Sequence, residues 1–284
     1  MEFWVNQTFN GISYAALLFL LGGGLTLIFG VMKIVNIAHG SFYLVGGYLG
    51  VALFAATGNF YLALLGAALA VAAGGVVLER VFLRAVEGDD LRQMLLTMGI
   101  ALFFQDACLL VWGGDPFSLR GPAYFAQSVK LGGFTFPILR LFMIAAAGVL
   151  FVVLWWFQEK TRAGAMVRAA IDNAEMTEAL GINVPILKMA VFGLGAFLAG
   201  VAGVVGSAFM GIYPGLDFEI LPYAFVVVIV GGMGSLSGAF VAALVLGLLD
   251  NFGKALFPEI SYFTLFAPMA IVLAFRPTGL FGRA

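Results

Sequence analysis

Charge is what this 284-residue chain has least of: only 10% of its residues are Asp, Glu, Lys or Arg, and its net charge is −1. A soluble globular chain is about 25% charged and roughly 45–50% apolar, whereas this one is 63% hydrophobic with a mean hydropathy of +1.08. With no excess of positive charge, a nucleic-acid partner is not expected. The single cysteine, Cys108, excludes an internal disulfide framework and a cysteine-rich metal site. One histidine, His39, leaves no His-based metal cluster, and no metal or other cofactor is expected. There is no G-x-x-x-x-G-K-[ST] phosphate loop, no H-E-x-x-H and no G-x-S-x-G. The chain therefore carries neither an ATPase motif nor a recognisable nucleophile or acid–base set, and it reads as a non-enzyme. Its start lacks a basic n-region and a small-residue cleavage site, so no removable signal peptide is expected.

What is present is long apolar runs. Nine of them lie at about 11–31, 38–56, 60–79, 94–113, 139–157, 187–211, 219–232, 236–250 and 262–275. Several are shorter than the ~20 residues a straight helix needs to cross a bilayer. The expected fold is all-α: a polytopic transmembrane helix bundle of about 8–10 spans, including broken or half-length helices. The 38 glycines suit such a bundle, because small residues let helix backbones approach where lipid leaves no hydrophobic drive. Gly46 and Gly50 offer one packing face; Ala196 with Gly200, and Ala199 with Gly203, offer another.

Charge position gives an orientation. With the stretch 158–188 inside, the inner segments hold Lys33, Arg80, Arg84, Arg92, Lys160, Arg162, Arg168, Lys188, Arg276 and Arg283. The outer ones hold Arg120, Lys130, Arg140 and Lys254, ten against four. The positive-inside rule then places the N-terminus outside and the C-terminus inside.

The stretch 158–188, QEKTRAGAMVRAAIDNAEMTEALGINVPILK, is the longest polar interval. Between Ala163 and Leu180 the apolar residues recur at helical spacing, which predicts a short amphipathic helix. Gly181 supplies its stop, and Pro185 follows as further C-terminal punctuation. A helix presented to a partner in water and a plain solvated connection both satisfy this pattern. The other charged inner stretch, 79–92, reads as solvated, and the outer 113–138 loop is dominated by Gly, Pro and aromatics.

Polar residues inside apolar runs mark the remaining candidates, because such groups must face protein or a water-filled cavity. Asn36 and His39 are three apart, fit for one helix face or for a tight turn. Gly231, Gly232, Gly234 and Ser235, within GGMGSLSG, interrupt the run after Phe225–Val230. They form either a helix break lining a pathway or a glycine turn at the inner surface. Asp106 and Asp250 each have two readings, a proton or cation group or a helix–helix contact. Glu219 is expected near the outer surface. On residues alone, an ion-coupled secondary transporter using Asp106, Asp250 or His39 stands beside a subunit driven by a separate ATPase.

Three stretches carry a resemblance: GLTLIFGVMKIVNIAHGSFYLVGGYL, RAAIDNAEMTEALGINV and VVVIVGGMGSLSGAFVAALVLGLLDN. In order and over nearly the whole chain they resemble the permease subunits of bacterial branched-chain amino-acid ABC importers, of the LivH type. The resemblance implies one transmembrane permease domain over 1–284, in the bacterial inner membrane, with 158–188 as its cytoplasmic coupling loop. Ala174, Glu175, Glu178, Ala179 and Gly181 would form the core of the segment that docks on the ATPase. The fullest form of the Glu-Ala-Ala signature of other importer permeases is not there. The partners implied are a homologous second permease subunit, two cytoplasmic ATPase subunits and a periplasmic substrate-binding protein. Branched-chain amino acids are the expected cargo; urea or short amides are the alternative within the same machine.

Overall fold

A computed structural model describes residues 1–260 and 263–282. Arg283, counted above among the inner cations, lies outside the described residues, as does Tyr262 at the start of the last apolar run. Eleven α-helices are described: α1 (Glu2–Met32), α2 (Ala38–Thr57), α3 (Phe60–Leu78), α4 (Asp90–Trp112), α5 (Ile138–Lys160), α6 (Arg162–Asp172), α7 (Ala174–Ala179), α8 (Val184–Phe209), α9 (Leu216–Gly231), α10 (Leu236–Leu256) and α11 (Phe263–Phe275). Seven are long and apolar enough to cross a membrane: α1, α2, α3 with its extension to Val86, α4, α5, α8 and α10. With 16 and 13 residues, α9 and α11 are the half-length helices the short apolar runs foretold.

The core is built on α1 and α8. Of their most apolar stretches 89% and 78% are buried, against 17% for α4 and for α5. Both central helices are rich in small residues, and these are where neighbouring backbones touch. A Cβ on Gly203 of α8 would lie 2.0 Å from the Tyr43 carbonyl oxygen of α2, and one on Gly24 of α1 would lie 2.7 Å from the Gly195 carbonyl oxygen of α8. Gly46 meets Gly200 and Gly50 meets Val204, so both glycine faces read from the sequence are helix contacts. Larger side chains fill the levels between: Phe151 of α5 stacks on Phe240 of α10 at 4.1 Å, and Phe19 of α1 meets both edge-on.

The 113–138 loop is more regular than its composition suggests. It contains an antiparallel hairpin, β1 (Ser128–Leu131) and β2 (Phe134–Pro137). Phe117 also exchanges backbone hydrogen bonds with Ile212, Phe117 N–H to Ile212 O at 2.8 Å and Ile212 N–H to Phe117 O at 2.7 Å. These bonds tie the loop to the α8–α9 connection, and every backbone polar group so paired escapes a desolvation cost.

The polar interval forms two helices where the periodicity predicts one. Asn173 divides α6 from α7. It is extended (φ −156°, ψ 102°), and its side-chain oxygen accepts from Met176 N–H at 2.9 Å. An asparagine that caps the next helix competes with its own place in the previous one. Gly181 does end α7: at φ +87° its N–H donates to Glu178 O, and the Ile182 N–H donates to Thr177 O, the paired bonds of a Schellman cap. Pro185 is a correction. It belongs to the first turn of α8, where its missing N–H costs nothing, and Asn183 caps that helix by accepting from Ile186 N–H.

Candidate functional site

The candidate residues fall on three places: the exposed helix α7, the glycine turn between α9 and α10, and a buried polar seam where α2 begins. The first two lie on one end of the bundle, called here the charged face.

On the charged face, α6 is anchored and α7 is presented. Val167 and Ala170 of α6 are buried, and Ile171 reaches Gly30 of α1 and Gly234 of the α9–α10 turn. Arg168 faces Glu159 at 3.7 Å. In α7, Thr177 is buried and bonds back to Asn173 O at 2.7 Å. Glu175, Met176, Glu178, Ala179, Leu180 and Gly181 are exposed, and Ala174 is half-buried. Met176 and Leu180, four apart on one face, are 60% and 75% exposed at the tip of a polar loop. They are exposed apolar side chains set among the carboxylates of Glu175 and Glu178. The end of the loop is fixed too: Lys188 pairs with Glu87 of the 79–89 segment.

The glycine turn is the second place. α9 ends at Gly231, Gly232 turns at φ +99°, and the Ser235 side chain caps α10 by accepting from Gly238 N–H at 3.1 Å. The last carbonyls of α9, which a helix end leaves unpaired, are bonded by the C-terminal tail. Leu280 N–H donates to Val230 O at 2.8 Å and Phe281 N–H to Gly231 O at 3.1 Å. Gly231 and Gly232 are thereby packed away, whereas Gly234 and Ser235 line a groove of about 510 Å³ with Gly30, Lys33, Glu159 and Arg168.

The seam is the third. Asn36 and His39 do not share a helix face. α1 stops at Lys33, which is left-handed (φ 55°), and residues 33–37 are non-helical. This segment runs back into the bundle. Ile37 N–H donates to Thr97 Oγ1 in the second turn of α4, and His39 Nε2 donates to Leu21 O at 3.0 Å. Leu21 precedes the end of α1 by eleven residues, about 16 Å at 1.5 Å per residue. Irregular backbone at such depth is tolerated where protein covers it, and Ile34, Asn36 and His39 are buried. Asn36 accepts His39 N–H through its backbone oxygen at 3.3 Å, but its side-chain amide and His39 Nδ1 have no partner among the described residues. One turn on, Ser41 donates to Asp217 Oδ2 of α9.

The remaining acidic candidates separate. Asp250 is buried with each oxygen engaged, Oδ2 by Lys254 at 2.6 Å and Oδ1 by Thr264 at 2.7 Å. Asp106 is exposed on the outer side of α4. Glu219 is exposed at the opposite face and accepts from Tyr213 at 2.7 Å. That bond, with some burial, pushes the Tyr213 phenol up to about 12, so it stays a donor at any physiological pH. Sequence reasoning missed Ser41, Thr97 and Asp217. Asp217 had a signal, a carboxylate two residues from Glu219 in an apolar context; Ser41 and Thr97 had none, since hydroxyls are common in membrane helices.

Residues 7–273 match the family described as branched-chain amino acid transport system / permease component. The chain is 30% identical to the high-affinity branched-chain amino acid transport system permease protein BraD of Pseudomonas aeruginosa, over 99% of this chain and 96% of that one. It is 29% identical to the corresponding permease protein LivH of Escherichia coli K12, over the same shares. A more distant likeness, 24% over 95% of this chain and 84% of the relative, is to the ribose import permease protein RbsC of E. coli K12. No solved structure matches the chain.

Proposed function

The chain belongs to the permease-component family of branched-chain amino acid transport systems, and from that premise we propose that it is one membrane subunit of an ATP-driven importer for branched-chain amino acids. All of 1–284 acts as one permease domain in the bacterial inner membrane, with the N-terminus outside and the charged face in the cytoplasm. A homologous permease subunit pairs with it, two cytoplasmic ATPase subunits supply the energy, and a periplasmic binding protein delivers the substrate. The chain itself catalyses no reaction.

One observation supports this most strongly: α7 exposes Met176 and Leu180 among Glu175 and Glu178 while α6 beside it is anchored under α1 and the α9–α10 turn. An anchored helix with an exposed apolar tip transmits a push. Residues 158–188 are therefore the coupling loop, with Ala174, Glu175, Glu178, Ala179 and Gly181 at the ATPase contact. Asn36 with His39, and Gly231, Gly232, Gly234 and Ser235, mark the two breaks where α1 hands over to α2 and α9 to α10. At these breaks motion of the loop reaches the pathway.

The test is purification of the tagged chain from its native membrane, with uptake of labelled leucine measured in the same cells. A second permease and an ATPase in the eluate, and leucine uptake lost in Glu178→Arg and Gly181→Pro with insertion unchanged, are expected. A lone chain under cross-linking, or uptake that follows urea in place of leucine, would overturn the partner and cargo assignments respectively.

A further inference from the structure

The opposite face carries a cavity of about 380 Å³ between α1, α5, the α8–α9 connection, α9 and α10, within the range of about 300–1,000 Å³ usual for small-molecule sites. Four charged groups line it: Arg140, Lys254, Glu219 and Asp250. Lys254 and Asp250 neutralise each other at 2.6 Å. Among the described residues, Arg140 and Glu219 have no oppositely charged partner within 4.0 Å. Neutral groups orient both: Arg140 donates to Asn10 Oδ1 and lies over the Phe209 ring at 5.3 Å, and Glu219 accepts from Tyr213. The rest of the wall is largely apolar, with Leu216, Ile220 and Tyr223 beside Phe209.

A cavity that holds one uncompensated cation, one uncompensated carboxylate and an apolar wall is complementary to a zwitterion with a hydrophobic side chain. Oriented guanidinium and carboxylate groups recognise such a ligand through charge-assisted hydrogen bonds. We propose that this cavity is a receiving site for an α-amino acid with an apolar side chain. Arg140 takes its carboxylate, Glu219 its ammonium group, and Phe209, Leu216, Ile220 and Tyr223 its side chain. The assignment rests on the import reading and adds to it a selective step inside the permease itself. A phosphatidylethanolamine headgroup shares the ligand's charges, so the test separates the two sources.

The experiment uses the full chain with the subunits that accompany it, in nanodiscs of phosphatidylglycerol with and without phosphatidylethanolamine. Binding of labelled leucine is measured against two competitors, 4-methylpentanoate, which lacks the ammonium group, and 3-methylbutylamine, which lacks the carboxylate. Saturable leucine binding that neither competitor matches is expected, unchanged by phosphatidylethanolamine. Glu219→Gln should remove the preference for leucine over 4-methylpentanoate, and Arg140→Gln the preference over 3-methylbutylamine. Each loss should be about 10- to 100-fold, the worth of one charge-assisted hydrogen bond. Because the readout is a ratio of ligands, a general loss of folding does not imitate it. No leucine binding, binding displaced by phosphatidylethanolamine, or variants with unaltered selectivity would overturn the site. Leucine uptake that persists in cells while binding is absent would remove the site and leave the import reading intact.

Discussion

Ser41 on α2 donates a 3.0 Å hydrogen bond to Asp217 Oδ2 on α9, joining two buried residues 176 positions apart in sequence. It fixes the buried start of α2 against the first turn of α9, next to the break at Asn36. Ser41→Ala leaves that oxygen buried without its donor, which costs about 1–3 kcal/mol. Thermal unfolding in detergent should show a clear drop for Ser41→Ala and a smaller one for Ser41→Thr, which keeps the hydroxyl. Equal stability of Ser41→Ala and the unaltered chain would mean the pair contributes nothing.

Gly203 and Gly148 test the close-packing account together. A Cβ at Gly203 meets the α2 backbone at 2.0 Å, while one at Gly148 of α5 meets none of the described residues within 4 Å. Gly203→Ala should destabilise the bundle by about 1–3 kcal/mol through forced separation of α2 and α8. Gly148→Ala should be neutral, or stabilising by up to ~1 kcal/mol from helix propensity. The same unfolding measurement checks both, and a reversed order would refute the packing read here.

The docking role proposed for α7 makes a prediction about apolar contact. Met176→Asp and Leu180→Asp change residues that touch little within the chain, so membrane insertion and thermal stability should stay near those of the unaltered protein. Substrate-stimulated ATP hydrolysis by the assembled complex should fall severalfold, as when a hot spot in a protein interface is removed. Full stimulation in both variants would show that α7 does not carry the contact.

Proton coupling has a distinct signature. Asp250 has both oxygens engaged and Asp106 lies on an exposed face, so neither is poised as a relay. Uptake by Asp106→Asn should match the unaltered protein, and an uncoupler at constant ATP should leave leucine uptake intact. Collapse of uptake under those conditions would favour an ion-coupled mechanism over the ATP-driven one.

Much of this was written locally. The apolar runs fell on the helices, most ends within one residue and the largest offsets at the start of α1 and the end of α10, because bilayer length and apolar composition are properties of a single segment. Gly181 was legible as a cap for the same reason, since a left-handed residue after a helix is a local requirement. Pro185 was misread because a proline suits both the residues after a helix and the first turn of the next. Only the Asn183 cap on Ile186 decides which. The single helix expected between Ala163 and Leu180 failed at Asn173, where one side chain chose a new cap over a continuing turn.

The sequence by itself determined the class of the protein, the number and rough extent of its apolar helices, the family and the polar loop. Each follows from composition, periodicity or a contiguous motif. Tertiary structure alone decided that residues 33–37 run back into the bundle, that Ser41 meets Asp217, that the tail bonds the end of α9, and that Arg140 and Glu219 share one cavity. Those relationships join residues far apart in the chain. They arise from which helix faces can approach closely and which buried polar groups then find a partner, and no window of sequence contains that information.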